Sequence, residues 1–356
     1  MKSVIDVHLH STQNNSVEDS IAIFKKIYKW TGMENALFLG LPQDSKGNTD
    51  YLQNLKTIFY KQYFDAYAFA GLIHDTSLSD SDTEKYFLKQ AEEAKIAGFD
   101  GVKMLDGKPS MRKIYKRLLS DPVYDKFYSF MEENAFPITL HNADPAYMWD
   151  MSKMSPYAIE HGWYCGDLGM SKDEMFDDVM RVMEKHPKLH LTLAHLGFTG
   201  ENIEQAKRFL GDYEYTMFDT TPGVQNFHDM LPVWDSWYAF IVQYQDRIKY
   251  GADTYNFVAK DEEELKVLST RRPYQQRRFF EGNEPFDAGE TKLCGVHLDD
   301  YLLEKIYRTN ALREYGTPKA INTAFVREWL DSAKASYKDD QKAMRDLLFI
   351  EENFVF

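Results

Sequence analysis

A chain of 356 residues, 44% hydrophobic and 15% aromatic, can bury one large α/β barrel or two ordinary domains. Its formal net charge of −14 argues against a nucleic-acid partner, since phosphate binding requires clustered Lys and Arg. The longest apolar runs fall short of the roughly 18 residues a membrane span needs, no secretory leader precedes the first apolar run, and Cys165 and Cys294 are too few for a disulfide framework, so a cytoplasmic protein is expected.

The first predicted strand is 4–10, VIDVHLH, and seven similar runs follow at 36–42, 66–73, 100–105, 137–142, 190–197, 214–221 and 248–253. Segments such as 16–30, 82–98 and 172–187 lie between them with apolar residues at three- and four-residue steps. In the last, Met175, Val179, Val182 and Met183 share a face, and Asp173, Glu174, Asp177 and Asp178 weight the start, as a helix N-terminus favours. Strands alternating with helices imply parallel pairing, and eight such units predict an α/β fold of the (β/α)8 TIM-barrel type. A doubly wound sheet is the alternative, but no Gly-x-Gly-x-x-Gly follows the first strand.

Two connections exceed the minimal barrel. The stretch 143–171 carries Tyr147, Trp149, Trp163 and Tyr164; the stretch 255–296 carries the acidic run KDEEE (260–264) and the basic cluster STRRPYQQRR (269–278). A helix at 298–316 follows, with Asp299 or Asp300 as N-cap and Gly316 as its stop. The tail reads as two more helices, giving a barrel over 1–316 and a helical extension over 317–356.

Catalytic residues of such a barrel gather at the C-terminal ends of its strands. The metal-type residues at those ends are His8, His10, Lys103, His141, His195 and Asp253, whereas His190 begins a strand and the other histidines fall in loops or helices. Ten histidines in 356 residues supply roughly 0.3 His-x-His pairs by chance, so His8 and His10 alone mean little. Residues at i and i+2 of a strand share a face, however, and with His141 and Asp253 they make a nitrogen-and-oxygen donor set suited to zinc, or to manganese.

The order HLH, HNAD, AHLG, YGAD and the closing IYRTNALREYG, spanning about 4–316, resembles the amidohydrolase superfamily, in particular its amidohydrolase-related (amidohydrolase 2) branch of decarboxylases and lactone hydrolases. Asn310 and Ala311 in the closing helix fit the same pattern. The resemblance implies that His8, His10, His141 and Asp253 bind a divalent metal, with His195 a further ligand or a donor to bound water or substrate. It also places Lys103 near the lysine that binuclear members carboxylate to bridge two ions; one ion is expected, two if Lys103 is so modified.

The first function this implies is a metal-dependent hydrolase in which metal-activated water attacks the carbonyl of a lactone, amide or ester. Asp253 takes the proton and His195 orients the water or stabilises the oxyanion. The alternatives are a non-oxidative decarboxylase of an aromatic or unsaturated carboxylic acid, with an arginine from 269–278 on the substrate carboxylate, and a catalytically silent metal-binding barrel. Substrate contacts are expected from Asn142, Asp144, Trp149, Tyr255, Arg271 and Arg272. The aromatic segment 227–244 is broader than one barrel contact needs and predicts a homo-oligomer.

Overall fold

A computed structural model describes residues 2–11, 15–44, 47–221, 224–289 and 291–356. Strand β1 (Val4–His10) is buried at every position, as a strand covered on both faces must be. Each later strand pairs in parallel with its predecessor: β2 (Met33–Leu39), β3 (Tyr67–Gly71), β4 (Gly101–Gly107), β5 (Ile138–Asn142), β6 (Leu191–Leu193), β7 (Thr216–Asp219) and β8 (Ile248–Lys249). A ninth segment, β9 (Thr254–Tyr255), pairs with β1, and between β8 and β9 the Val7 amide donates to the Tyr250 carbonyl at 2.9 Å. The last stave of the TIM barrel is therefore split. The extended path breaks at Asp253, whose φ is 49°.

Alternation along the strands sorts the core. Ile5, Val7, Leu37, Leu39, Tyr67 and Phe69 form an inner cluster closed from below by Ala311 and Tyr315, while Val4, Leu9, Ala36 and Phe38 belong to the outer core under the helices. On β1 this alternation changes phase: Asp6 pairs with Ala36 but Leu9 with Phe38, so the chain takes three steps against two. This bulge brings His8 and His10 to the interior alongside Ile5 and Val7.

The helices carry readable ends. Val17–Thr31 is capped by Ser16 and stopped by Gly32 at φ 69°, Asp80–Ala97 is capped by Ser79 and stopped by Gly98 at φ 94°, and Lys172–Lys185 opens with a Ser171/Glu174 capping box. Three expectations are corrected. The run 190–197 is extended only over Leu191–Leu193, because His195, Leu196, Gly197 and Phe198 all take positive φ. The acidic run and basic cluster of 255–296 are two ends of one helix, Glu262–Glu281, N-capped by Asp261 and running on through Pro273 to an antiparallel pair of short strands, Pro285–Ala288 and Thr291–Cys294. The helix at 298–316 is three pieces, Asp300–Glu304, a wider π turn Lys305–Thr309 and Asn310–Tyr315; Asp299 precedes it without a side-chain cap bond, and Gly316 ends it at φ 62°.

The tail forms Thr323–Ser336 and Gln341–Asn353, which bury Val326, Leu330, Leu347 and Ile350 against the barrel's outer core. Its entry is fixed at Gly98, where an added Cβ would lie 2.3 Å from the Ala320 carbonyl oxygen. A Gly98→Ala protein is expected to lose about 1–3 kcal/mol of stability, through both φ strain and this clash. Urea unfolding measures the loss, and an unchanged midpoint would overturn the assignment. No helix among the described residues is long and apolar enough to cross a membrane.

Candidate active site

The bulge on β1 delivers two imidazoles whose protonation is settled by their partners. His10 Nδ1 lies 3.0 Å from the Leu39 carbonyl, which only accepts, so Nδ1 carries the hydrogen and Nε2 a lone pair. His8 Nδ1 lies 2.8 Å from Asp219 Oδ2, and a carboxylate there imposes the same tautomer. Asp219 Oδ1 also accepts from the His195 and Thr221 amides at 2.8 and 3.1 Å.

The two Nε2 atoms face Asp253 Oδ1 at 4.0 and 3.6 Å, and the ligand atoms of His8, His10 and Asp253 all lie within 4.8 Å of one another. Burial lowers the imidazole pKa values: His10 to about 4, His195 to about 3, and His8 and His141 well below the usual histidine range. Burial pushes Asp253 the other way, but the Arg272 guanidinium and then His8 and His10 override it and hold the carboxyl well below its usual range. Two neutral lone pairs and an ionised oxygen thus converge with no hydrogen to share. That donor set fits a divalent cation.

Further rings extend the cluster. His195 stands 5.3 Å from His8, centroid to centroid, and His141 stands 4.6 Å from His195. His141 Nε2 is 3.3 Å from Asp144 Oδ1, a half-buried carboxyl whose pKa is raised by loss of solvent. The structure groups His8, His10 and Asp253 most closely and places His195 and His141 beside them along the rim. Lys103 on β4 is buried with no hydrogen-bond partner for Nζ, and burial lowers its pKa to about 8.

The family model described as Amidohydrolase matches residues 65–317. The chain belongs to the amidohydrolase family. Among solved structures it is similar to an uncharacterised TIM-barrel protein from Bordetella bronchiseptica, at 12% identity over 92% of this chain and 100% of that one, with a TM-score of 0.57. It is also similar to 4-oxalomesaconate hydratase from Rhodopseudomonas palustris (16% identity, 94% and 99% covered, TM-score 0.51) and to 2,6-dihydroxybenzoate decarboxylase from Rhizobium (17%, 88% and 99%, TM-score 0.50). These likenesses establish the barrel fold. No curated protein matches the sequence. The family match takes in Lys103, His141, His195 and Asp253 and begins after β1, whose His8 and His10 are brought beside them by the pairing of β1 with β9.

The expected substrate-contact residues divide. Asn142, at the end of β5, is fully buried, and neither polar atom of its amide finds a partner. Tyr255 packs 5.1 Å from His10, centroid to centroid. Trp149 donates its single N–H to the Met170 carbonyl at 2.9 Å and packs on the core, bracing the 143–171 excursion. Arg272 reaches Asp253 Oδ2 at 2.5 Å, also donates to the Asp253 carbonyl, and lies over the Tyr255 ring. Arg271, one position round the helix, is exposed and is not brought to the cluster.

Sequence reasoning missed Asp219 and Asp6. Asp219 ends the strand β7, and the same strand-end criterion applied to 214–221 would have found it. Asp6 Oδ1 accepts from the His8 and Ala252 amides, both at 2.9 Å, tying the bulge to the last stave; burial raises its pKa to about 7.

Proposed function

We propose that this chain is a metal-dependent hydrolase that directs water onto the carbonyl of a small lactone, amide or ester. The observation that carries the reading is the convergence of the His8 and His10 Nε2 lone pairs on the ionised Asp253 oxygen. His8, His10 and Asp253 would hold one ion, zinc before manganese for a site with this share of nitrogen, with His141 as a further nitrogen donor. A divalent ion supplies Lewis-acid polarisation of an oxygen and lowers the pKa of water from about 16 towards 7.

The residues divide the remaining work. Asp253 accepts the proton of the attacking water and passes it to the leaving oxygen or nitrogen as the carbonyl carbon gains one bond and loses the other. His195 orients the water. The Asn142 amide, without any internal partner, is available to a polar group of the substrate. The Lys103 amine offsets negative charge developing on the carbonyl oxygen; as a carbamate it would instead serve a second ion.

A second reading, non-oxidative decarboxylation, is favoured by the two cations at the site, Lys103 and Arg272, which suit a carboxylate substrate. It requires a proton to be delivered to carbon as carbon dioxide leaves, and a carboxyl held ionised by Arg272 carries none to deliver, whereas in hydrolysis the attacking water brings the proton with it. Hydrolysis therefore comes first. Protein purified without chelator, assayed on a panel of lactones, esters, amides and aryl carboxylates, separates the readings. Hydrolysis expects about one metal per chain and release of acid. Release of carbon dioxide establishes the second reading, and stoichiometric metal without any turnover establishes a silent barrel.

Asp219→Asn is expected to lower metal affinity about 10–100-fold while the barrel stays folded, because His8 loses the charged partner that orients its ring. Equilibrium dialysis reads the change, and unchanged affinity removes Asp219 from the site. Association between copies through the exposed Val233, Tyr238 and Val242 is part of the same proposal and is read by light scattering.

A further inference from the structure

We propose that a groove on the outer wall of the barrel, between helices Val17–Thr31 and Glu262–Glu281, binds a small aromatic monoanion. The groove has a volume of about 480 Å³, within the roughly 300–1,000 Å³ range of small-molecule sites. Trp30 from one helix and Tyr274 from the other supply aromatic surface to its walls.

Its charge is the second observation. Glu281 is neutralised by Arg277 Nη1 at 2.9 Å and also accepts from the Tyr307 hydroxyl at 3.0 Å. Arg277 is buried; its Nη2 donates to the carbonyls of Lys2 and Thr31, and its Nε has no partner. Arg278 donates to the Tyr274 hydroxyl at 3.1 Å and to the Pro285 carbonyl at 3.5 Å, and lies over the Phe286 ring, with no carboxylate partner among the described residues. Lys266 makes no ion pair within 4 Å among the described residues. Two cations are thus left over. The carbonyl ends of the two helices converge on the same groove and count for about half a negative charge each, leaving roughly one positive charge.

That is a local reversal of sign in a chain of net charge −14. A second basic groove, lined by Arg112, Lys113, Lys116 and Arg117, has three of its four cations paired with Asp178, Asp167 and Asp80, and so leaves one over among the described residues where the outer groove leaves two. The outer groove is also separate from the candidate active site. Helix Glu262–Glu281 sends Arg272 to Asp253 and Gln276 to the Gly251 carbonyl from its barrel side, while Lys266, Tyr274 and Arg278 line the outside.

Fluorescence titration of the full chain with 2-naphthoate tests the site, with the neutral 2-naphthol as control. Saturable naphthoate binding is expected, weakened about tenfold or more in a Lys266→Glu/Arg278→Glu protein. Thr270→Trp, which fills the groove without changing charge, is expected to abolish it, and circular dichroism confirms that each variant is folded. The proposal is overturned if the parent binds no naphthoate, if both variants bind it as the parent does, the ligand then sitting in the barrel mouth, or if 2-naphthol binds equally well.

Discussion

An Asp253→Asn protein is expected to fold like its parent and to lose turnover by about 10²–10⁴-fold, the contribution of a positioned proton acceptor. The choice of asparagine matters. Asp253 sits at φ 49°, a left-handed conformation that Asp and Asn adopt more readily than other side chains, so alanine would mix backbone strain with lost chemistry. The Asn oxygen can still accept from Arg272, which keeps the helix Glu262–Glu281 docked on the split stave. What disappears is the negative charge that faces the His8 and His10 lone pairs and the oxygen that takes the proton. The measurement is kcat/KM on whichever panel substrate the parent turns over, with the thermal midpoint and metal content taken on the same preparations. A folded variant retaining parental activity would remove Asp253 from proton transfer.

The legible part of this protein is what apolar runs and strand-end chemistry encode. Eight strands could be counted because buried parallel strands leave near-continuous apolar segments, and His8, His10, His195, His141 and Asp253 could be placed on one rim because a barrel has only one catalytic end. The split of the last stave was not legible, since 248–253 reads as one apolar run and only its hydrogen bonds reveal that Asp253 leaves the extended path. His8 and His10 were read as pointing inward from their place at a strand end, although i, i+2 spacing by itself fixes only that they share a face. Counting on from Ile5 and Val7 sends them outward, and the bulge between Asp6 and Leu9 reverses that. Asp219 was legible and passed over: it stands two residues from the end of the run 214–221, as Lys103 and His195 do in theirs, and a carboxylate there meets the same criterion. Arg272 was named as a substrate contact, but its pairing with Asp253 was hidden by composition: twenty residues with three acidic at one end, arginines toward the other and a proline inside do not show a single apolar stripe, so the helix that carries it there was read as two charged tracts.

Replacing His10 by asparagine is expected to empty the metal site without unfolding the barrel, and the reasoning separates ligand from scaffold. An asparagine side-chain amide places its nitrogen close to where an imidazole places Nδ1, so the donor to the Leu39 carbonyl survives while the Nε2 lone pair facing Asp253 is lost. His8→Asn similarly keeps a donor for Asp219, which otherwise would be a buried carboxylate stripped of its side-chain partner, at about 3–5 kcal/mol. Loss of one of three closely grouped donors is expected to weaken metal binding by more than the roughly 10–100-fold that an orienting partner contributes. Elemental analysis and competitive titration against a chelator give the affinity, and activity should fall with metal content in both variants. The alanine counterparts sharpen the comparison: His8→Ala is expected to be less stable than His8→Asn by urea unfolding because Asp219 loses its donor, whereas the two should be equally poor in metal. If His8→Asn and His10→Asn both retain parental affinity, the converging lone pairs are not the metal site, and the ligands must be sought further along the rim at His195, His141 and Asp144.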